Sequence, residues 1–467
     1  MTKYKAYPEY KDSGVEWLGE IPKDWTVHSL KRSINRCTNG IWGGDPDEVN
    51  DIIVLRVADF DRQSFNVSDL KLTTRSIHPR DRRNRLLKKG DLLIEKSGGG
   101  EKTLVGCVVI FDKDYEAVTS NFVAKMSPIE IYDSCFLKFV FSQLYAGKVN
   151  YPSIKQTTGI QNLDSDSYLM ERFCFPSKAE QINISTFLNH ETAKIDSLLE
   201  KQQQLIELLK EKRQAVISHA VTKGLNPEAP MKDSGVEWLG EVPESWDVCT
   251  IKNIVSTPIT DGPHETPDFF SEGVPFISAE AVSSGVIDFS KKRACISLRD
   301  HEKFSKKYKP KLHDIYMVKS GATTGITAIV ETNEDFNIWS PLAAIRCNAK
   351  SDPYFSLYFL RSKPFQTAVE LNWSFGTQQN IGMGVIGNIH ITRPPIPEAV
   401  GIANFLKLQC SNFERLINIA YEQIELMQER RTALISAAVT GKIDLRNWVA
   451  PAASEAATDT ASQEVNV

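Results

Sequence analysis

Lysine, serine and glycine stand together twice in this chain, as Lys96-Ser97-Gly98 and Lys319-Ser320-Gly321, each directly after a strand-like apolar run. The trio suits recognition rather than bond making. Lysine brings a mobile cation, serine a donor and an acceptor, and glycine lets a backbone approach a phosphate closely. A lysine that merely caps a strand turn explains either copy alone equally well; the recurrence is what favours recognition. Beside each trio runs a basic stretch. Lys71 to Lys96 holds nine basic residues against three acidic ones, and Lys291 to Lys319 holds ten against three. One such run is ordinarily solvated surface, whereas two at equivalent places suit a polyanion touched at two points.

Two loops occupy matching positions ahead of these stretches: Thr38-Asn39-Gly40-Ile41-Trp42-Gly43, and Thr260-Asp261-Gly262-Pro263-His264-Glu265-Thr266-Pro267. Loops of equivalent place and unlike composition are what two readers of different base sequences would show. Turn chemistry accounts for Asn-Gly and Asp-Gly about as well. The candidate contacts in the first half are Asn39, Gly40, Trp42, Arg80, Arg82, Arg83, Arg85, Lys96, Ser97 and Gly98. Those in the second are Gly262, His264, Thr266, Lys306, Lys307, Lys309, Lys319, Ser320 and Gly321. Thr158 to Asn162 and Gly376 to Asn380 fit amide-to-backbone bonding first and nucleic-acid contact second.

No catalytic constellation has the spacing its chemistry requires, so no catalytic residue is assigned. SGGGEKT at Ser97 to Thr103 lacks the glycine before lysine and the frame of a phosphate loop. No Asn-Pro-Pro or Asp-Pro-Pro run is present to hold a flipped adenine; RPPIPE at Arg393 to Glu398 lacks the leading residue. Asp91, Glu95 and Lys96 have the composition of a nuclease cluster, but neighbours on a strand point to opposite faces. Neither HExxH nor GxSxG occurs.

The chain has 467 residues, enough for two or three domains, and 41% hydrophobic content with 24% charged, close to ordinary globular averages. Its net charge of −4 argues against indiscriminate coating of nucleic acid. No run approaches a membrane span, and the opening residues lack an apolar signal core. Without such a run no membrane is expected, and eight dispersed cysteines without CxxC or zinc spacing point to a reduced cytoplasm and no structural metal.

Larger elements must position these residues, and the chain states them twice. KDSGVEWLGEIPKDW at Lys11 to Trp25 returns as KDSGVEWLGEVPESW at Lys232 to Trp246, with twelve of fifteen positions identical. ELLKEKRQAVISHAVT at Glu207 to Thr222 returns as ELMQERRTALISAAVT at Glu425 to Thr440, with ten of sixteen shared. Trp17, Pro22 and Trp25 are read as a packed loop leading into each middle. The middles alternate β-branched runs with Gly/Pro breaks and a few helical stretches, which predicts α+β domains. After each comes a long helix, about Lys178 to Thr222 and about Glu398 to Thr440, beginning beyond a proline and ending near a glycine. Ile184, Leu188, Ile195, Leu198, Leu205, Leu209 and Val216 in the first, and Ile402, Leu406, Phe413, Leu416, Ala420, Met427 and Leu434 in the second, approach a coiled-coil seam. The predicted fold is α+β: two similar globular domains separated by two long helices packed as an antiparallel coiled coil, with an internal pseudo-twofold repeat. Its divisions are 1–178, a first domain; 179–230, a helix and linker; 231–397, a second domain; 398–446, a second helix; and 447–467, a disordered tail.

The doubled W-x-x-G-x-[IV]-P-x-x-W phrase, the KSG and Gln-Asn elements, and helices ending R-x-A-[VL]-I-S-x-A-V-T resemble the specificity subunit of type I restriction-modification systems over residues 11 to about 445. That resemblance implies two target recognition domains, each reading one half of a split, asymmetric DNA site, with helices as spacer. It implies double-stranded DNA, two modification subunits and two restriction subunits as partners. S-adenosylmethionine, ATP and Mg would then sit on those partners and none on this chain. The alternative is a coiled-coil scaffold with two ligand-binding domains and no role on DNA.

Overall fold

The computed structural model describes residues 4–98, 103–157, 159–372 and 379–450. Residues 99–102, Thr158, 376–378 and the tail from 451 onward, all singled out above, lie outside them. The chain divides into two compact units, Met1–Lys201 with Gln423–Val467, and Gln202–Glu422.

In the first unit seven strands carry the frame: β1 (Ile34–Asn39), β2 (Asp51–Leu55), β3 (Thr73–Ser76), β4 (Leu92–Glu95), β5 (Val108–Ile110), β6 (Ala117–Thr119) and β7 (Val123–Pro128). The second repeats them in order: β8 (Thr260–Asp261), β9 (Val274–Ile277), β10 (Ala294–Ile296), β11 (Ile315–Val318), β12 (Thr327–Ile329), β13 (Asn337–Ile338) and β14 (Leu342–Ile345). The sheet order β1-β7-β4-β5 of the first unit is β8-β14-β11-β12 in the second. A smaller sheet runs β6-β2-β3 in one and β13-β9-β10 in the other, with the same parallel pair, β2/β6 and β9/β13. β4 and β11 are buried along their whole length, which is why LLIE and IYMV are nearly continuous apolar runs rather than alternating ones.

Each opening phrase forms a hairpin, Tyr10–Asp12 with Glu20–Pro22 and Met231–Asp233 with Glu241–Pro243. Trp25 and Trp246 follow these hairpins into the cores, whereas Trp17 stays 41% exposed with its ring 6.0 Å from that of Phe173. The long helices are α1 (Lys178–Lys223) and α2 (Ile396–Val439). Ser177 opens α1 by accepting from the Glu180 N–H at 3.4 Å. The helices give way at Gly224 and Gly441, both at positive φ (77° and 71°), the left-handed conformation that ends helices. Gly441 sits where an added Cβ would be 2.4 Å from Pro22 Cδ, and Gly224 faces Pro243 and Trp246 in the same manner. Lys442 Nζ donates to the Glu20 carbonyl at 2.6 Å, and Lys223 Nζ donates to the matching Glu241 carbonyl. The end of one helix thus docks on the opening phrase of each unit.

In the first unit Ile184, Phe187 and Leu188 share a core with Ile435, Ala438 and Val439. In the second, Ile217, Ala220 and Val221 share one with Ala399, Ile402 and Leu406. Within each unit the helix segments therefore run antiparallel. The seam departs from the sequence expectation: Leu198, Leu205 and Leu416 are exposed, and Leu199, Ile206 and Ile417 are buried instead. A strict seven-residue repeat drifts about 20° per heptad around a straight α-helix, so the buried line steps to the adjacent position.

Candidate nucleic-acid interface

The two KSG trios sit at the ends of β4 and β11, and each lysine turns back to the end of the sheet's edge strand. Lys96 Nζ donates to Asn39 Oδ1 at 2.8 Å. Lys319 Nζ lies 3.1 Å from Asp261 Oδ2. A second cation from each basic stretch joins in. Arg85 Nε donates to the Asn39 carbonyl at 3.1 Å, while Lys307 Nζ reaches Asp261 Oδ1 at 2.6 Å and the Gly262 carbonyl at 2.9 Å. The next residue must be glycine in both units, because an added Cβ would stand 2.1 Å from the Ser120 carbonyl at Gly40 and 1.9 Å from the Ile338 carbonyl at Gly262.

The Gln-Asn landmarks close the other side. Ser97 pairs with Asn162 and Gly98 with Gln161, and Ser97 Oγ donates to Asn162 Oδ1 at 2.7 Å. Ser320 bridges to Asn380, and the Gly321 N–H donates to the Gln379 carbonyl at 3.0 Å. Sequence reasoning marked these dipeptides without foreseeing that they pair. It also left Asp261 off the contact set, although this side chain gathers Lys307, Lys319 and, at 3.1 Å, His264 Nε2. Burial alone would push its carboxyl up, but the hydrogen bonds and charges of Lys307 and Lys319 outweigh that and hold it below the ordinary range.

The remaining candidates divide by whether the protein already uses them. Arg80, Arg83 and Lys306 are exposed and Arg82 is half-buried, and among the described residues no ion pair or hydrogen bond engages their side chains. Thr266 is exposed, and Lys309 is paired with Asp335 at 2.8 Å. Trp42 lies under Arg75, whose Cζ is 4.7 Å from the ring centroid, and Arg75 in turn pairs with Asp45. Glu95 and Lys96 do point apart, as strand neighbours must. Glu95 is fully buried against Arg62 at 2.8 Å, and burial pushes its carboxyl up. Among the described residues no group of three or more His, Cys, Asp or Glu could hold a metal ion, and no helix is long and apolar enough to cross a membrane.

The chain that carries this doubled fastening is similar to known proteins. The sequence profile described as Type I restriction modification DNA specificity domain matches residues 243–431. The type I restriction enzyme MjaVIII specificity subunit of Methanocaldococcus jannaschii is 24% identical over 443 residues, 91% of this chain and 95% of that one. A solved chain from work on complex assembly and conformational transition of the type I R-M system superposes with a TM-score of 0.69 at 15% identity, over 91% of this chain and 99% of that one. Residues 243–431 thus carry the match to the type I specificity domain, and the chain as a whole is similar to type I specificity subunits. The HsdS subunit of Thermoanaerobacter tengcongensis shares the fold at a TM-score of 0.51 and 14% identity, over 91% of this chain and 98% of that one. The α+β halves and long helices of this chain match the fold expected from sequence.

Proposed function

We propose that this chain is a specificity subunit that reads double-stranded DNA at a split, asymmetric site, one half-site per unit, with the paired long helices fixing the gap. The observation that carries this is the doubled fastening: Lys96 on Asn39-Gly40 and Lys319 on Asp261-Gly262 hold the same backbone while the side chains around it differ. A shared frame with unlike filling suits two readers of different base sequences. Unpaired Arg80, Arg83 and Lys306 beside the frames supply the cations that phosphates require.

In this reading the chain recruits two modification subunits, which bind S-adenosylmethionine and methylate adenine, and two restriction subunits, which use ATP and Mg. Its task is to place the former over bases that must leave the stack before they react. The work belongs in the cytoplasm, with the DNA. Kinship with a chain studied for type I complex assembly supports such partners.

Methylation mapping of a host carrying the intact system tests the proposal. The expected result is one bipartite motif with an unspecified gap, which disappears when this chain is deleted. Deletion of Gln202 to Leu208 should change the tolerated gap. A contiguous motif, or methylation unaffected by loss of the chain, would refute the proposal.

A further inference from the structure

On the first unit, beside the Lys96 fastening, lies an open notch of about 470 Å³ whose wall is apolar. Trp42, Phe122 and Ile160 line it while remaining 36%, 51% and 53% exposed, and Val57 and Gly98 also line it. Large apolar side chains clustered at a surface mark an interaction site. The surroundings are cationic: Arg75 lies over Trp42, and Lys96 and Arg85 hold the adjoining loop. At the rim stands Asn121, exposed, its side-chain amide without a hydrogen-bond partner among the described residues.

The backbone that presents Asn121 and Phe122 is fixed at several points. The Ser120 N–H donates to the Leu55 carbonyl at 2.8 Å, Lys96 N–H to Phe122 at 2.8 Å, and Val123 N–H to Ser120 at 3.0 Å. The second unit repeats all three: Trp339 to Ile277 at 2.9 Å, Lys319 to Pro341 at 2.8 Å, and Leu342 to Trp339 at 3.0 Å. At the places of Asn121 and Phe122 it carries Ser340 and Pro341, and neither offers an amide or an aromatic face. One rigid scaffold thus holds different chemistry at one point.

We infer that Asn121 and the Trp42–Phe122–Ile160 notch read a single A·T pair of the first unit's half-site through the major groove. This rests on the DNA reading proposed above and deepens it. An asparagine amide offers the donor and acceptor that match adenine N7 and N6, and the thymine partner of that pair projects a C5-methyl group that an apolar notch can seat. Guanine keeps the N7 acceptor but sets the O6 acceptor where adenine has a donor, cytosine has a donor without the acceptor, and a G·C pair lacks the methyl. Ser340 and Pro341 lack both features, so the second unit makes no such selection at the equivalent point.

The test uses the complex assembled with its modification subunit and a duplex library randomised across the bipartite site. The wild-type complex should demand A·T at one position of one half-site. Asn121→Ala should lower that discrimination roughly tenfold to hundredfold and leave the other half-site untouched. Asn121→Asp should shift the preference toward C·G, because a carboxylate accepts from the cytosine amino group; a gained preference cannot come from misfolding. Deoxyuridine in place of thymidine at that position, which removes only the methyl, should weaken the wild type about threefold to fivefold and Phe122→Ala not at all. Unchanged preference in Asn121→Ala and Asn121→Asp, with the wild type still selective, overturns this inference alone. Loss of both half-sites together in each variant also overturns it. A wild-type complex without any sequence preference overturns the DNA reading with it.

Discussion

Lys319 Nζ lies 3.1 Å from Oδ2 of Asp261, a carboxylate with 1% of its side chain exposed, where the first unit sets Lys96 against the neutral amide of Asn39. The aspartate carries a second load, because Lys307 meets its other oxygen at 2.6 Å. Asp261→Ala strands two lysines and should lower the second unit's stability by about 1–3 kcal/mol, less than for a fully buried pair because Lys307 is half exposed. Asp261→Asn, which copies Asn39, should cost less. Urea denaturation of both variants gives the comparison, and equal losses would show that shape rather than charge matters there.

Acid should find the same carboxylate. Its folded-state pKa lies below the ordinary aspartate value of 3.8, so the stability it contributes is fully present above that value and lost as pH falls through the depressed one. The melting temperature of wild type should therefore drop more steeply than that of Asp261→Asn between about pH 4 and pH 2. Parallel curves would remove Asp261 from the account.

Gly40 and Gly262 are fixed by contact with backbone, which cannot swing aside. Gly262→Ala puts a methyl 1.9 Å from the Ile338 carbonyl, and Gly40→Ala puts one 2.1 Å from that of Ser120. Each should displace the reading loop and cost about 1–3 kcal/mol. Binding of specific duplex should fall further than global stability does, as titration alongside calorimetry would reveal. Gly14, with nothing within 4 Å of an added Cβ, is the control, its penalty limited to the strain of a positive φ.

Arg431 and Arg213 both bind an acidic residue on the other long helix, but on different terms. Arg431 is buried, donates to Asp196 at 3.0 Å and to the Gln63 carbonyl at 2.6 Å, and lies over the Phe65 ring. Arg431→Ala should cost about 2–4 kcal/mol, and Arg431→Lys much of that, since an ammonium cannot span both acceptors. Arg213 stands 3.8 Å from Glu414 with the two side chains 35% and 65% exposed, so Arg213→Ala should change stability by less than about 1 kcal/mol. Thermal melts of the single variants decide this.

Arg80, Arg83 and Lys306 should act through phosphate alone. Replacing each by alanine is expected to weaken binding to every duplex alike and to reduce the slope of log affinity against log salt by about one per residue. Binding isotherms at several salt concentrations measure that slope. A change in base preference would instead move the residue into the groove.

Much of the frame was legible in the sequence because it is local. The repeated phrases fold as matching hairpins, and Gly224 and Gly441 close the long helices within a residue or two of the ends expected for them. The candidate surface was less legible because its partners come from afar. The basic runs counted as open charge are partly neutralised by carboxylates elsewhere in the chain: Arg75 by Asp45, Lys89 by Asp114, Lys303 by Glu265 and Lys309 by Asp335. No charge count along the sequence shows those pairs. Asn121 and Phe122 carry no motif at all, and only the matching backbone bonds of the two units bring them to notice.

The docking of Gly441 on Pro22 and of Gly224 on Pro243 is one joint made twice, but the partners are about 420 residues apart in the first case and about 20 in the second. Chain entropy alone makes the longer closure dearer by roughly 3 kcal/mol. On the ribosome the contrast becomes one of timing. The second unit is continuous in sequence and is complete once Glu422 has emerged, whereas the first waits for the segment after Gln423. The half synthesised first is therefore the half that finishes folding last, and the core face that Ile435, Ala438 and Val439 will cover is the surface a chaperone would have to guard meanwhile.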